Sequence, residues 1–271
     1  MEDSDPPISF PNFAPSPSAR LPDSERLIGV PIPVGSETVG NVPFDLDLYK
    51  VPGLPLFYIR DFVTREEEQY LMRKVESAPK GKWRTLNGRR LQVWGGELTR
   101  SNALLSQPLP PWLTDHPDLM SRIGRTDIFA KTKQRQPNHV IVNEYLPGQG
   151  IFAHKDGPAY YPAVATLSLG GHGMMQYHAP LSSVPAYSLF LEPRSLVITT
   201  GELYEEYSHS IEAVDEDDLG KADITNLSLL GDEWSRRVKR GETVPREKRI
   251  SLTCRVVEKE AKGLLGMRGP R

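Results

Sequence analysis

Residues Asn143 to Asp156 read NEYLPGQGIFAHKD. The stretch opens as a strand, turns at Pro147-Gly148 and ends in His154-Lys155-Asp156. Side chains alternate along an extended chain, so His154 and Asp156 share one face. An imidazole and a carboxylate so placed, with a second imidazole from elsewhere, make the two-histidine, one-carboxylate set of non-haem iron(II). Such a set leaves coordination positions open for other ligands. A solvated turn carrying a chance His-x-Asp is the alternative reading of these residues.

Two distant stretches bear on the choice. Arg249 to Val257 reads RISLTCRVV. Arg249, Ser251, Thr253 and Arg255 fall on one face of a strand, and Ile250, Leu252, Cys254 and Val256 fall on the other. The two arginine Cα atoms are then roughly 20 Å apart. Their side chains are long enough to converge on the ends of a small dicarboxylate, which the planar guanidinium fork pairs with bidentately. An exposed edge strand with solvated arginines is the other reading. The second stretch, Ser208-His209-Ser210-Ile211, follows an apolar run (Ser195 to Thr200) and a turn at Gly201. It supplies the separate histidine.

Asn143, Tyr145, Pro147, Gly148, Ile151, His154 and Asp156, then Ser168-Leu169-Gly170, Ser195-Leu196-Val197, His209 and the Arg249 to Arg255 strand together resemble the AlkB family of iron(II)/2-oxoglutarate dioxygenases. The resemblance runs from about Pro52 to about Val257. It implies His154, Asp156 and His209 as iron(II) ligands, with 2-oxoglutarate and O2 completing the site. It implies Arg249 on the distal carboxylate of 2-oxoglutarate and Arg255 near the metal-proximal one. Asn143 and Tyr145 would hydrogen-bond the co-substrate, and Ser251 lies on the same strand face, where some members carry Asn. The reaction implied is hydroxylation of a C–H bond coupled to decarboxylation of 2-oxoglutarate to succinate. Repair enzymes of the family carry an acidic residue two positions after the metal aspartate. Here that position is Pro158, whose side chain cannot accept a hydrogen bond from a base.

The 271 residues are 38% hydrophobic, enough for one substantial domain with additions. A net charge of −2 and a pI near 6.3 leave no global footprint for nucleic acid, though a local patch stays open. The single cysteine, Cys254, sits on the apolar face of its strand and points to a reducing compartment, cytoplasmic or nuclear. No apolar run is long enough for a membrane span. A monomer is expected.

Residues 1–50 are rich in proline and read as a low-order extension. The dioxygenase domain is expected over 51–258, followed by a frayed tail at 259–271. Leu56 to Ile59 reads as a strand, and Thr64 with Glu67 forms a capping box that opens a helix ending before Pro79. The segment 80–100 interleaves Trp83 and Trp94 with Lys82, Arg84, Arg89, Arg90 and Arg100. That composition suits single-stranded or structured nucleic acid, and the resemblance makes the segment a substrate lid. Trp83, Arg84, Trp94 and Tyr160 are the candidate substrate contacts. A hairpin about Asn87-Gly88 with Trp packed inward is the structural alternative. Pro108 to Ser121 reads as a short helical connection, and Arg122 to Pro137 as a flexible basic loop. Five further short strands between Val140 and Thr199 predict a mostly β fold with flanking helices, a double-stranded β-helix (jelly-roll, cupin-like) core. The charged insertion 213–247 reads as a solvated loop.

The expected function is an iron(II)/2-oxoglutarate dioxygenase acting on a modified nucleic acid, RNA more than DNA, or on a protein. A binding module on the same fold without turnover and a zinc hydrolase using the same three ligands are the alternatives.

Overall fold

The computed structural model describes residues 45–261. The expectations for residues 1–44 and 262–271 lie outside them. At the start of the described chain, Leu46–Tyr49 form one 3-10 turn, and Leu46 and Tyr49 pack against the core.

The chain runs through β1 (Leu56–Ile59), α1 (Arg65–Glu76), β2 (Arg84–Leu86), β3 (Arg89–Trp94), β4 (Gly96–Leu98) and β5 (Leu104–Ser106). Short helices α2 (Pro111–Thr114) and α3 (Leu119–Gly124) lead to β6 (His139–Tyr145), β7 (Ile151–His154), β8 (Ala163–Gly170), β9 (Gly173–His178) and β10 (Pro185–Leu191). Then come β11 (Leu196–Thr200), α4 (Gly201–Glu205), β12 (Ser208–Ile211), β13 (Glu216–Asp218), α5 (Asp232–Lys239), β14 (Thr243–Pro245) and β15 (Arg249–Arg255). Seven strands form an antiparallel sheet in the order β1-β11-β8-β15-β6-β3-β2. Four form a second antiparallel sheet, β10-β9-β12-β7. The large sheet is apolar on its helix-covered face because its strands alternate. Val140, Val142, Ala165, Leu167, Ile250, Leu252 and Cys254 pack there against Leu71 and Val75 of α1 and against Leu113, Leu119 and Ile123. The other face carries Asn143, Tyr145, Thr166, Arg249, Ser251 and Arg255 into a cavity that the smaller sheet closes with Met175, Tyr177, His209 and Ile211. This is the jelly-roll layout. Among the described residues no helix is long and apolar enough to cross a membrane.

Helix α1 begins where its sequence says it should. The Thr64 hydroxyl accepts from the Glu67 amide at 3.2 Å, and the Glu67 carboxylate accepts from the Thr64 amide at 2.9 Å. The same carboxylate takes two hydrogen bonds from Arg122, which also donates to the carbonyls of Phe62 and Pro117. This corrects the reading of Arg122 to Pro137 as a flexible basic loop. Arg122 is buried in an ion pair, and Ile123 and Phe129 are fully buried in the core.

The insertion 213–247 also departs from expectation. It supplies Leu219, Ile224, Leu230 and Val244 to a second apolar cluster with Leu189, Phe190 and Leu191. The Trp234 ring stands 4.7 Å from Phe190. The Asn226 side chain donates to the Phe190 carbonyl and accepts from its amide, satisfying backbone at the edge strand β10. Asp217 receives two hydrogen bonds from Arg246 and contacts His172 at 3.1 Å. Burial acts to raise the Asp217 carboxyl, but Arg246 and His172 outweigh it and hold the group at about 2. The segment's charge masked this core contribution, because its apolar residues are spaced irregularly through loops.

Candidate active site

Strand β7 is held against β12 by a close approach that only glycine allows. A Cβ at Gly150 would lie 2.3 Å from the Ile211 carbonyl oxygen, and the preceding turn places Gly148 at φ +74°. The pairing puts His154 opposite His209 with ring centroids 4.4 Å apart. Asp156 follows directly, and the potential ligand atoms of the three residues all lie within 4.8 Å of one another. The His154 Nδ1 is 2.8 Å from the Phe152 carbonyl. A carbonyl only accepts, so Nδ1 carries the proton and Nε2 keeps its lone pair for a metal. Burial lowers the His209 imidazole to about 4, with Asp156 pulling the other way, so His209 is neutral near pH 7. Burial acts to raise Asp156, but Arg255 and the two imidazoles together hold it below the usual carboxylate range. Two neutral imidazoles and an ionised carboxylate are the forms that ligate a cation.

These residues line a cavity of about 360 Å³. Asn143 and Tyr145 of β6 face it beside Ser251 and Arg249 of β15, with Arg249 opposite Tyr145 and Ser251 opposite Asn143 in register. Two of the three Arg255 nitrogens are engaged, and its buried Nη1 has no partner among the described residues. Its Nε donates to Asp156 Oδ2 at 3.0 Å and its Nη2 donates to Oδ1, so it first orients the carboxylate. Arg249 is 3% exposed, and its Nη2 donates to the Ser168 hydroxyl at 2.8 Å. Its Nε and Nη1 are buried without a partner. Burial pulls this guanidinium down to about 10, and it stays charged at neutral pH.

A profile of the 2OG-Fe(II) oxygenase superfamily matches residues 55–255. The chain belongs to that superfamily. Among curated proteins, the Probable RNA/DNA demethylase ALKBH6 of Danio rerio is 38% identical over 228 residues, covering 79% of this chain and 92% of that protein. This likeness places the oxygenase in the AlkB family. The tRNA (carboxymethyluridine(34)-5-O)-methyltransferase alkbh8 of Xenopus tropicalis is 30% identical over 166 residues, which are 59% of this chain and only 26% of that protein. The solved structure of OsALKBH1 superposes with a TM-score of 0.50 at 15% identity, over 75% of this chain and 98% of that one, in agreement with the fold.

The protein is therefore a 2-oxoglutarate-dependent dioxygenase using Fe(II), 2-oxoglutarate and O2. The donor set suits the metal, and the unsatisfied nitrogens of Arg249 suit the co-substrate's carboxylate. Bound together, these groups supply oxidation of a C–H bond at the expense of 2-oxoglutarate, which leaves as succinate and CO2.

The expected substrate contacts divide. Tyr160 lines the cavity, with the Arg255 guanidinium 4.7 Å over its ring. Trp83, Arg84 and Trp94 do not line it. The segment expected to form a lid contains the hairpin β2-β3, joined to β6 as part of the large sheet. Along β3, Arg89 and Leu91 face the cavity, whereas Arg90, Gln92 and Trp94 pair with Glu144, Val142 and Val140 on the helix side. Trp94 meets the Trp112 ring edge-on at 5.7 Å and is covered by Lys82, whose Nζ lies 4.2 Å from the ring centroid. Trp83 lies under Arg90, and Arg84 pairs with Glu97. Cations that might have met phosphate instead cover the protein's own aromatic rings. The Trp94→Ala variant is accordingly expected to lose about 2–4 kcal/mol of stability, with substrate affinity changed less than threefold. Thermal melts alongside a binding titration check this.

Sequence reasoning missed Arg89, whose Nε donates to Asn143 Oδ1 at 3.0 Å, and Tyr204 of α4. Trp94 was named from composition alone, whereas strand alternation along β3 sets Arg89 and Leu91 on the cavity face and Trp94 on the other.

Proposed function

We propose that His154, Asp156 and His209 hold the iron(II), that Arg249 pairs with the distal carboxylate of 2-oxoglutarate, and that the enzyme demethylates N-methylated bases in RNA or single-stranded DNA. The observation that carries this reading is a buried arginine with two unpaired nitrogens in the same cavity as the three-ligand cluster. Asn143 and Tyr145 line the same cavity, and Ser251 stands opposite Asn143 in register. Arg255 acts through Asp156, fixing the carboxylate and keeping it ionised. The likeness to proteins described as an RNA/DNA demethylase and a tRNA-modifying enzyme supports a nucleic acid as substrate. Oxidation of an N-methyl group to hydroxymethyl releases formaldehyde, with one oxygen of O2 in that product and the other in succinate. Such work belongs in the cytoplasm or nucleus.

The test begins without oxygen. Iron(II) and 2-oxoglutarate added to metal-free protein are expected to produce a visible charge-transfer absorption that the His154→Ala variant lacks. Admission of O2 with methylated RNA oligonucleotides is then expected to accelerate succinate release over the unmodified oligonucleotide. Metal binding without the absorption would overturn the site assignment.

A further inference from the structure

One buried polar group of the cavity is not among the residues assigned above to iron or 2-oxoglutarate. Tyr204 sits on α4, between the strands β11 and β12, and its hydroxyl is buried with no hydrogen-bond partner among the described residues. The ring lines the cavity at the end occupied by Asp156, Arg255 and Tyr160. A buried hydroxyl left unpaired is a standing cost, and a ligand that pairs with it recovers that cost.

The charge on the walls restricts what that ligand can be. Among the described residues the lining carries Arg89, Arg249 and Arg255, with Lys155 paired outward to Glu206, against Asp156 as its only acidic side chain. Asp156 is already held by both forks of Arg255. An iron(II) dication and a 2-oxoglutarate dianion cancel, so the bound cofactors leave the excess of positive charge in place. Asn143 Oδ1 is occupied by Arg89. Pro158, two residues beyond Asp156, offers no side-chain acceptor. A cationic base with an exocyclic amino group would meet like charge and find no free carboxylate. A neutral base with a ring carbonyl would meet donors.

We infer that Tyr204 determines specificity, its hydroxyl donating to the position-4 carbonyl of a neutral N3-methylated pyrimidine beside the metal, and that the cavity rejects cationic N-methylated bases. The inference rests on the nucleic-acid reading above and sharpens it. 3-Methyluracil and 3-methylcytosine give the cleanest contrast. They share a ring and an N3 methyl, and differ at position 4 by a carbonyl on a neutral ring against an amino group on a cationic one.

The experiment uses the full chain loaded with iron(II) and 2-oxoglutarate under anaerobic conditions, where binding is read without turnover. Fluorescence anisotropy follows three RNA oligonucleotides that differ at one base: 3-methyluracil, 3-methylcytosine and uracil. Wild type is expected to bind the 3-methyluracil strand about tenfold more tightly than the 3-methylcytosine strand. Tyr204→Phe keeps the ring and is expected to erase most of that preference, with the melting temperature equal to or above that of wild type and the 2-oxoglutarate Kd unchanged. An equal or reversed preference in wild type overturns the inference. So does a Tyr204→Phe variant that binds 2-oxoglutarate more weakly, because the hydroxyl would then serve the co-substrate. If neither methylated strand outbinds the uracil strand, the nucleic-acid reading itself falls and takes this one with it.

Discussion

Replacing Arg249 by methionine is expected to make the ligand-free protein more stable while abolishing its response to 2-oxoglutarate. Arg249 is buried, burial works against its charge, and Ser168 satisfies only one of its nitrogens. Exchanging such a group for an apolar side chain of similar reach removes a desolvation cost of about 1–3 kcal/mol. In a domain of this size that is several degrees, at about 2–4 °C for each kcal/mol. Wild type should gain about 2.7 kcal/mol at a 2-oxoglutarate concentration one hundred times its Kd. Arg249→Met should gain none. Thermal melts of metal-loaded protein with and without 2-oxoglutarate read both effects. A variant less stable than wild type before ligand is added would mean that Arg249 is a structural residue.

The second large effect lies outside the cavity. Glu67 caps α1 and neutralises Arg122 in a pair whose side chains are 4% and 6% exposed. Glu67→Ala strands a buried guanidinium and removes half of the capping box. A loss of about 3–5 kcal/mol is expected. The double variant Glu67→Ala/Arg122→Met should recover part of it, because no unpaired charge remains. Burial acts to raise the Glu67 carboxyl, but Arg122 and the Thr64 amide hold it below the usual glutamate range. A depressed native pKa makes the pair's contribution fully present above the ordinary glutamate range and lost as pH falls through the native value. Urea midpoints measured down the acid range should therefore converge for wild type and Glu67→Ala. Midpoints that stay equally far apart at every pH would contradict this linkage.

Much of the site was legible because its signals are local. The alternation in RISLTCR depends only on the period of a strand, and it assigned Arg249, Ser251 and Arg255 to one face and Cys254 to the other before any partner was known. The capping box at Thr64 and the turn at Pro147-Gly148 are equally local. The lid stayed open between two readings for the opposite reason, and the hairpin with Trp packed inward is the one the fold contains. Composition says that Trp and Arg are near one another, but not that Arg90 lies on Trp83 and Lys82 on Trp94. The insertion was misjudged because Leu219, Ile224, Leu230 and Val244 follow no period, and only a distant sheet gives them a common side.

The sequence by itself determined the strand that bears the arginines, the helix start and the jelly-roll class, since each follows from spacing along the chain, and the family resemblance named the three potential ligands. Only the tertiary structure decided that His154 and His209 stand opposite each other, that Arg255 is engaged by Asp156, and that two nitrogens of Arg249 and the Tyr204 hydroxyl have no partner among the described residues. Whether a polar side chain has a partner is a property of distant segments meeting. Residues 99 positions apart, as in the pair Arg255 and Asp156, carry no mark of that meeting in their own neighbourhoods.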